Sequence, residues 1–253
     1  MQRTLFVALL ALTVTVAAKA EVLLNYNTTN TGNIAAMPVE GTASEVSCSD
    51  MTRGSGLGAT SGHSLDAFGS NLKGSGARTS LWNSFQGNCY FTWTVTPDNP
   101  LHPVSFTGFT FYAFVPENTS GGTGIYWNPM FGLFSDATGL SSTGDVIALV
   151  DSDVQLGQPS SKGPYAVDLS GETELQGVTT AVAFRLYYYS KYATGETVAG
   201  RPNFWENIGI GADDGVFPNA LSGLYMTGFV IPEPATAALA AVTLVALLRR
   251  RMG

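Results

Sequence analysis

Positive charge is scarce in this chain. Of 253 residues, 12 are Lys or Arg against 19 Asp or Glu, and the formal net charge is −7. Residues 21–234 hold seven of the basic residues and all 19 acids, a balance of −12. Nucleic-acid binding rests on neutralising phosphates with Lys and Arg, so this acidic body argues against DNA or RNA as a partner. It fits an anionic membrane surface equally poorly. Histidine is scarcer still: there are only His63 and His102. One lies in a Gly/Ser-rich stretch and the other beside Pro103, so both read as loop residues rather than as the general base of a Ser-His-acid triad. No G-x-S-x-G elbow accompanies them. Helical periodicity is rare. Charged residues of both signs are few, whereas Gly, Ser, Thr, Asn and aromatics are plentiful, which suits an all-β body with long loops.

The two ends differ from this body. Met1-Gln2-Arg3 gives a positive start, Thr4 to Val16 is mostly apolar, and Ala18-Lys19-Ala20 fits a small-x-small cleavage site. Residues 1–20 therefore read as a secretory signal peptide, with Glu21 as the mature N-terminus. At the other end Pro232-Glu233-Pro234 is followed by an apolar run, Ala235 to Leu248, and then by Arg249-Arg250-Arg251. The prolines keep the junction extended, Ala and Leu favour helix, and the arginines would hold that helix at the cytoplasmic face. The run is shorter than the roughly 20 residues of a spanning helix, and snorkelling of the arginines makes up part of the deficit. Residues 232–253 thus form an expected sorting signal, and residues 21–231 the body between the two.

The order of turn motif, apolar helix and basic stop resembles the PEP-CTERM sorting signal of Gram-negative, exopolysaccharide-producing bacteria. The resemblance implies a substrate of an exosortase, a membrane transpeptidase-like cysteine protease that recognises Pro232-Glu233-Pro234 and cleaves nearby. It implies export by the secretion machinery and transient anchoring in the inner membrane. Delivery to the cell surface or to an exopolysaccharide matrix would follow. In such an exported body the two cysteines, Cys48 and Cys89, are expected to form one disulfide. That bridge would close a loop of about 40 residues and stabilise by roughly 3–4 kcal/mol. A zinc pair lacks partners.

Within the body, runs of β-branched and aromatic residues mark strands at Val22–Tyr26, Tyr90–Val95 and Val104–Val115, the last with Gly108 as a bulge candidate. Shorter candidates are Met130–Phe134, Val146–Val150, Tyr165–Leu169, Asn207–Ala212 and Leu221–Ile231. Ala181–Tyr189 alternates most cleanly: Val182, Phe184, Leu186 and Tyr188 are assigned to the core, and Tyr187 and Tyr189 to the outer face. The segment Gly54–Gly76, with seven glycines, reads as a long surface loop. Glu172 to Gln176 reads as a single helical turn. The fold expected is an all-β, jelly-roll-like antiparallel β-sandwich. The order of Tyr90–Asp98, Ser105–Phe111, Tyr165–Ser170, Val182–Tyr187 and Glu206–Ile210 is similar to jelly-roll bodies of PEP-CTERM proteins.

Chemistry-bearing constellations are sparse. Glu172, Glu174, Glu196 and Glu206 could serve a glycosidase, but none lies in a strand-borne acidic motif that would aim two carboxylates together. No catalytic residue is assigned and no cofactor is expected. Asp151 with Asp153, and Asp213 with Asp214 and Asn207, offer oxygen ligands for a structural calcium ion; solubilising turn acids are the simpler reading. Sugar rings stack their C–H faces on aromatic side chains, and Tyr126-Trp127 and Trp205 are the leading candidates for such platforms. Trp93, inside a strand, is assigned to packing. The expectation is a non-catalytic surface or matrix protein. Its alternatives are an exopolysaccharide-binding module and a jelly-roll polysaccharide hydrolase or lyase.

Overall fold

The structure is a computed structural model and describes residues 20–26, 34–59, 67–72, 79–115, 129–151, 160–190, 197–198, 201–202, 207–211 and 223–231. In chain order its first six strands are β1 (Glu21–Tyr26), β2 (Gly41–Thr42), β3 (Val46–Cys48), β4 (Thr52–Arg53), β5 (Leu57–Ala59) and β6 (Ala67–Leu72). Helix α1 (Leu81–Gln86) follows, and then the long strands β7 (Tyr90–Pro97), β8 (Val104–Val115) and β9 (Pro129–Ser135). The chain continues through β10 (Ala148–Asp151), β11 (Ser160–Asp168), β12 (Val182–Ser190), β13 (Thr197–Val198), β14 (Arg201–Pro202), β15 (Asn207–Gly211) and β16 (Leu224–Val230).

Two antiparallel sheets pack as a sandwich. One runs β2-β1-β16-β8-β15-β6-β5. β16 and β15 share one edge of β8, pairing Val104–Phe111 and Ala113–Phe114 in turn, and β11 takes the opposite edge. The other sheet runs β10-β9-β12-β7-β3, with β4 continuing along the same edge of β7. Among the described residues β13 and β14 pair only with each other.

The core is aromatic because inward positions of the long strands carry rings. β7 buries Phe91, Trp93, Val95 and Pro97 in strict alternation. Trp93 stacks between Phe109 of β8 (5.5 Å) and Phe184 of β12 (5.8 Å). Its indole N–H lies 3.3 Å from Met226 Sδ of β16, so the buried donor has a soft acceptor. β12 buries Val182, Phe184, Leu186 and Tyr188 inward, as its alternation predicts. In β8 the buried set changes phase, from Val104 and Phe106 to Phe109, Phe111 and Ala113. Opposite it Thr227 pairs with Gly108 and Gly228 with Phe106, so Thr107 is the extra residue of a bulge beside Gly108.

Three expectations need correction. First, Cys48 and Cys89 are free thiols. Cys48 pairs with Val95 far along β7, whereas Cys89 sits just before the start of that strand. Six residues at about 3.3 Å each separate them by about 20 Å along the ladder, and a disulfide needs Cα atoms within about 7 Å. Cys89 instead lies 3.6 Å from the carbonyl of Gly87 and 3.8 Å from that of Gly56.

Second, Gly54–Gly76 is not one surface loop: it contains β5 and β6, and Phe68 is fully buried. The Arg53 guanidinium lies 3.6 Å from the Phe68 ring and donates to the carbonyl of Ile34 at 2.8 Å. Burial brings the Arg53 pKa down to about 10. Third, α1 occupies a segment without a helical assignment from sequence. Ser80 caps it, its hydroxyl accepting from the Asn83 N–H. A smaller difference falls at Val146–Val150, where a 3-10 turn (Thr143–Asp145) precedes a strand that begins at Ala148. No helix among the described residues is long and apolar enough to cross a membrane. The expected C-terminal helix lies outside the described residues.

Candidate functional site

Most of the site residues named from sequence lie outside the described residues: Ala18, Tyr126, Trp127, Asp153, Trp205, Asp213, Asp214 and the whole of Pro232–Arg251. His63, Glu196 and Glu206 lie there too. Ala20 is exposed immediately before β1. Asp151 ends the edge strand β10, also exposed, and the described residues contain no cluster of three or more His, Cys, Asp or Glu. His102 is half-buried and pairs through Nδ1 with the Glu45 carboxylate, which ties the β7–β8 turn to the turn before β3.

One cleft of about 540 Å³ opens at the pole where β16 ends. Asp136, Thr173, Glu174, Gln176, Thr179 and Thr180 line it with Ala137, Gly177, Val178, Ala181 and Val182. The chain between β11 and β12 forms its wall. Val178 exchanges two backbone hydrogen bonds of 2.8 Å with Val104, which fixes that wall to the start of β8. The Gln176 amide donates to three carbonyls, Phe106 (2.9 Å), Leu169 (3.1 Å) and Glu172 (3.2 Å), and pins the 3-10 turn Thr173–Leu175. Of the two carboxylates, Asp136 already accepts from the Ala183 N–H at 2.9 Å and Glu174 from the Thr173 hydroxyl at 3.0 Å. With these acids engaged locally, the cleft is an open, hydroxyl-lined surface without an aromatic wall.

The outer face of the β10-β9-β12-β7 sheet carries a different arrangement. Tyr187 does point away from the inter-sheet core, but α1 covers it: Tyr187 is 1% exposed and Tyr189 8%. Both are therefore closed to solvent, although alternation assigns them to the outer face. Phe85 of α1 stacks on Tyr187 at 5.2 Å, while Phe134 and Tyr90 meet that tyrosine edge-on at 5.1 and 5.0 Å. Burial raises the Tyr187 phenol, partly offset by the hydrogen bond and charge of Arg185. Gly132 of β9 leaves room for Leu81, whose Cδ1 would lie 2.8 Å from a Cβ there. The Ser84 hydroxyl donates to the Tyr188 carbonyl at 2.6 Å and locks the helix to the sheet.

At the solvent end of this stack Trp82 lies over Phe85, 6.4 Å away and tilted by only 10°, yet 54% exposed. Sequence patterning does not single out Trp82, because a helix of six residues leaves too short a periodic trace. The signals were present: Ser80 as a cap, Leu81, Ser84 and Phe85 on one face, and Gly87 as a stop.

No family model matches this chain, and no curated protein or solved structure is found similar to it.

Proposed function

We propose that this chain is an exported bacterial surface or matrix protein, a non-catalytic β-sandwich sorted by an exosortase through Pro232-Glu233-Pro234. The reading rests on the ordered C-terminal signature of motif, apolar run and Arg249–Arg251. The architecture between the two signals supports it. Among the described residues the strand ladders begin at Glu21, the first residue after the Ala18-x-Ala20 site, and end at Val230, two residues before the motif. Glu21 pairs with Gly228, and the Ile231 N–H bonds to the carbonyl of Pro103 at 2.7 Å. Among the described residues the two junctions, Glu21 and Ile231, therefore lie at one pole, and β1 and β16 lie between them. A body tethered there by a membrane helix would stand with its opposite pole outward.

The test is expression of the full chain in a host that makes an exosortase, with mass spectrometry of the C-terminus and cell fractionation. The native chain is expected to lose its C-terminal segment and reach the outer surface or medium. Replacing Pro232 and Glu233 by Ala should leave it unprocessed in the inner membrane. Replacing Arg249, Arg250 and Arg251 by Glu should impair retention before cleavage. Unchanged processing of the alanine variant would defeat the proposal.

A further inference from the structure

Trp82 is a large apolar side chain left in water on a helix that otherwise seats itself closely. Trp93, by comparison, is 1% exposed. The exposure has a specific setting. One side of the indole is engaged by Phe85 in a nearly parallel stack, Phe85 rests on Tyr187, and Tyr187 is wedged between Phe134 and Tyr90. The ring is thus the outer end of a column rooted in the sheet, held in place before any ligand arrives. Pre-ordering of this kind removes the entropy cost of fixing a contact on binding.

The surroundings narrow the ligand. From Thr79 through Pro97 the chain has no charged side chain, and α1 has no acid in its first turn and no base in its last. The turn Thr143–Asp145 flanks the helix, but its Asp145 carboxylate already accepts from the N–H and hydroxyl groups of both Ser141 and Ser142. What α1 offers beside the ring is amide chemistry: Gln86 is exposed one turn beyond Trp82 on the same side of the helix. Within Thr79–Pro97 a phosphate-bearing ring finds no cation, and the Arg185 guanidinium at the root of the column is engaged by the Tyr90 ring and the Tyr187 hydroxyl; a cationic ligand finds no carboxylate on the helix. A neutral ring with an apolar face and a rim of hydroxyls satisfies both the indole and the amide.

We infer that Trp82, stacked on Phe85 and flanked by Gln86, is a binding platform for an uncharged pyranose unit of a polysaccharide. This goes beyond the sorting reading and is read by a different experiment, since processing at residues 232–234 is scored at the C-terminus and glycan retention at the helix.

The test is affinity electrophoresis of the full chain, in mild detergent, through native gels containing hydroxyethylcellulose, galactomannan or dextran, with alginate as the anionic control. Retardation in at least one neutral gel and free migration in alginate are expected. Trp82→Ala should weaken the retardation about tenfold, with an unchanged melting midpoint. If the alanine variant does not fold, Trp82→Phe serves with a second readout. Bound oligosaccharide should shield wild-type tryptophan fluorescence from acrylamide, and the phenylalanine variant should lose that shielding. Equal retardation of wild type and Trp82→Ala overturns the assignment and leaves glycan binding to another site. Free migration of the wild type in every neutral gel, or retardation in alginate alone, overturns it as well. Self-association in sedimentation that disappears in Trp82→Ala shows that a second copy covers the ring, and also overturns it.

Discussion

Gly228 shows at the level of one residue how closely the first sheet is built. A Cβ there would lie 2.2 Å from the Ser105 carbonyl oxygen and 2.6 Å from Leu23 Cδ1. The oxygen belongs to backbone in the neighbouring strand and cannot swing away, so Gly228→Ala must move β8 or β16. A loss of about 2–4 kcal/mol is expected, measured by denaturant unfolding. The thiols give a prediction of opposite sense. Because Cys48 and Cys89 are free, excess dithiothreitol should leave the melting midpoint unchanged, whereas loss of a bridge worth roughly 3–4 kcal/mol would lower it by roughly 10 °C. Burial, with Asp98 adding, pushes the Cys48 thiol from 9.0 up to about 12. The unfolded chain releases that proton first, so it binds fewer protons than the native state between those values, and stability must fall as pH rises across the window. The buried Tyr26 phenol, also raised, steepens the fall above pH 10. Cys48→Ser should flatten the slope from about pH 9 in unfolding titrations.

Helix α1 decides what the outer face of the second sheet looks like. Its hold depends on Phe85, which touches Tyr187, Phe134 and Trp82 at once. Phe85→Ala should cost about 2–3 kcal/mol, below a full core truncation because Phe85 is only half-buried. It should also shift the Trp82 emission to the red, and an unchanged spectrum would show that the helix stays seated without this ring. The same element explains what sequence patterning could and could not reveal. Period-two alternation in β12 separated Val182, Phe184, Leu186 and Tyr188 from Arg185 and Tyr187 because one face is buried between sheets. It gave the right face for Tyr187 but the wrong exposure, since a six-residue helix supplies the cover and leaves too short a periodic trace. Glycine density misled in the other direction at residues 54–76. A Cβ at Gly56 would sit 1.9 Å from the Gly87 carbonyl oxygen, and one at Gly54 2.4 Å from that of Asn88. These glycines mark close approach of two backbones, not a free loop. The thiol pairing failed for a related reason: counting cysteines carries no information about ladder register, which places Cys48 opposite Val95.

For the molecule as a whole, the position of β16 sets where the chain can be cut. It lies between β1 and β8, so it is an inner strand made by the last residues of the body. Its Leu224, Met226 and Gly228 are buried, and Met226 receives the Trp93 indole N–H. Removing it would expose two strand edges and open the aromatic core around Trp93, Phe109 and Phe184. Removing the residues after Ile231 keeps the whole of β16, with the Val230–Val104 pair and the Ile231 N–H to Pro103 bond. A chain ending at residue 231 should therefore melt cooperatively within about 2 °C of the full chain, the shift that roughly 1 kcal/mol produces at this size. A chain ending at residue 223 should show no cooperative transition by circular dichroism or calorimetry. This contrast is what the proposed sorting requires: a releasing cut must fall beyond β16, and only Ile231 separates β16 from Pro232. If the chain ending at 231 lost several kcal/mol, the C-terminal segment would be part of the folded unit, and cleavage at Pro232–Pro234 would destabilise the product it releases.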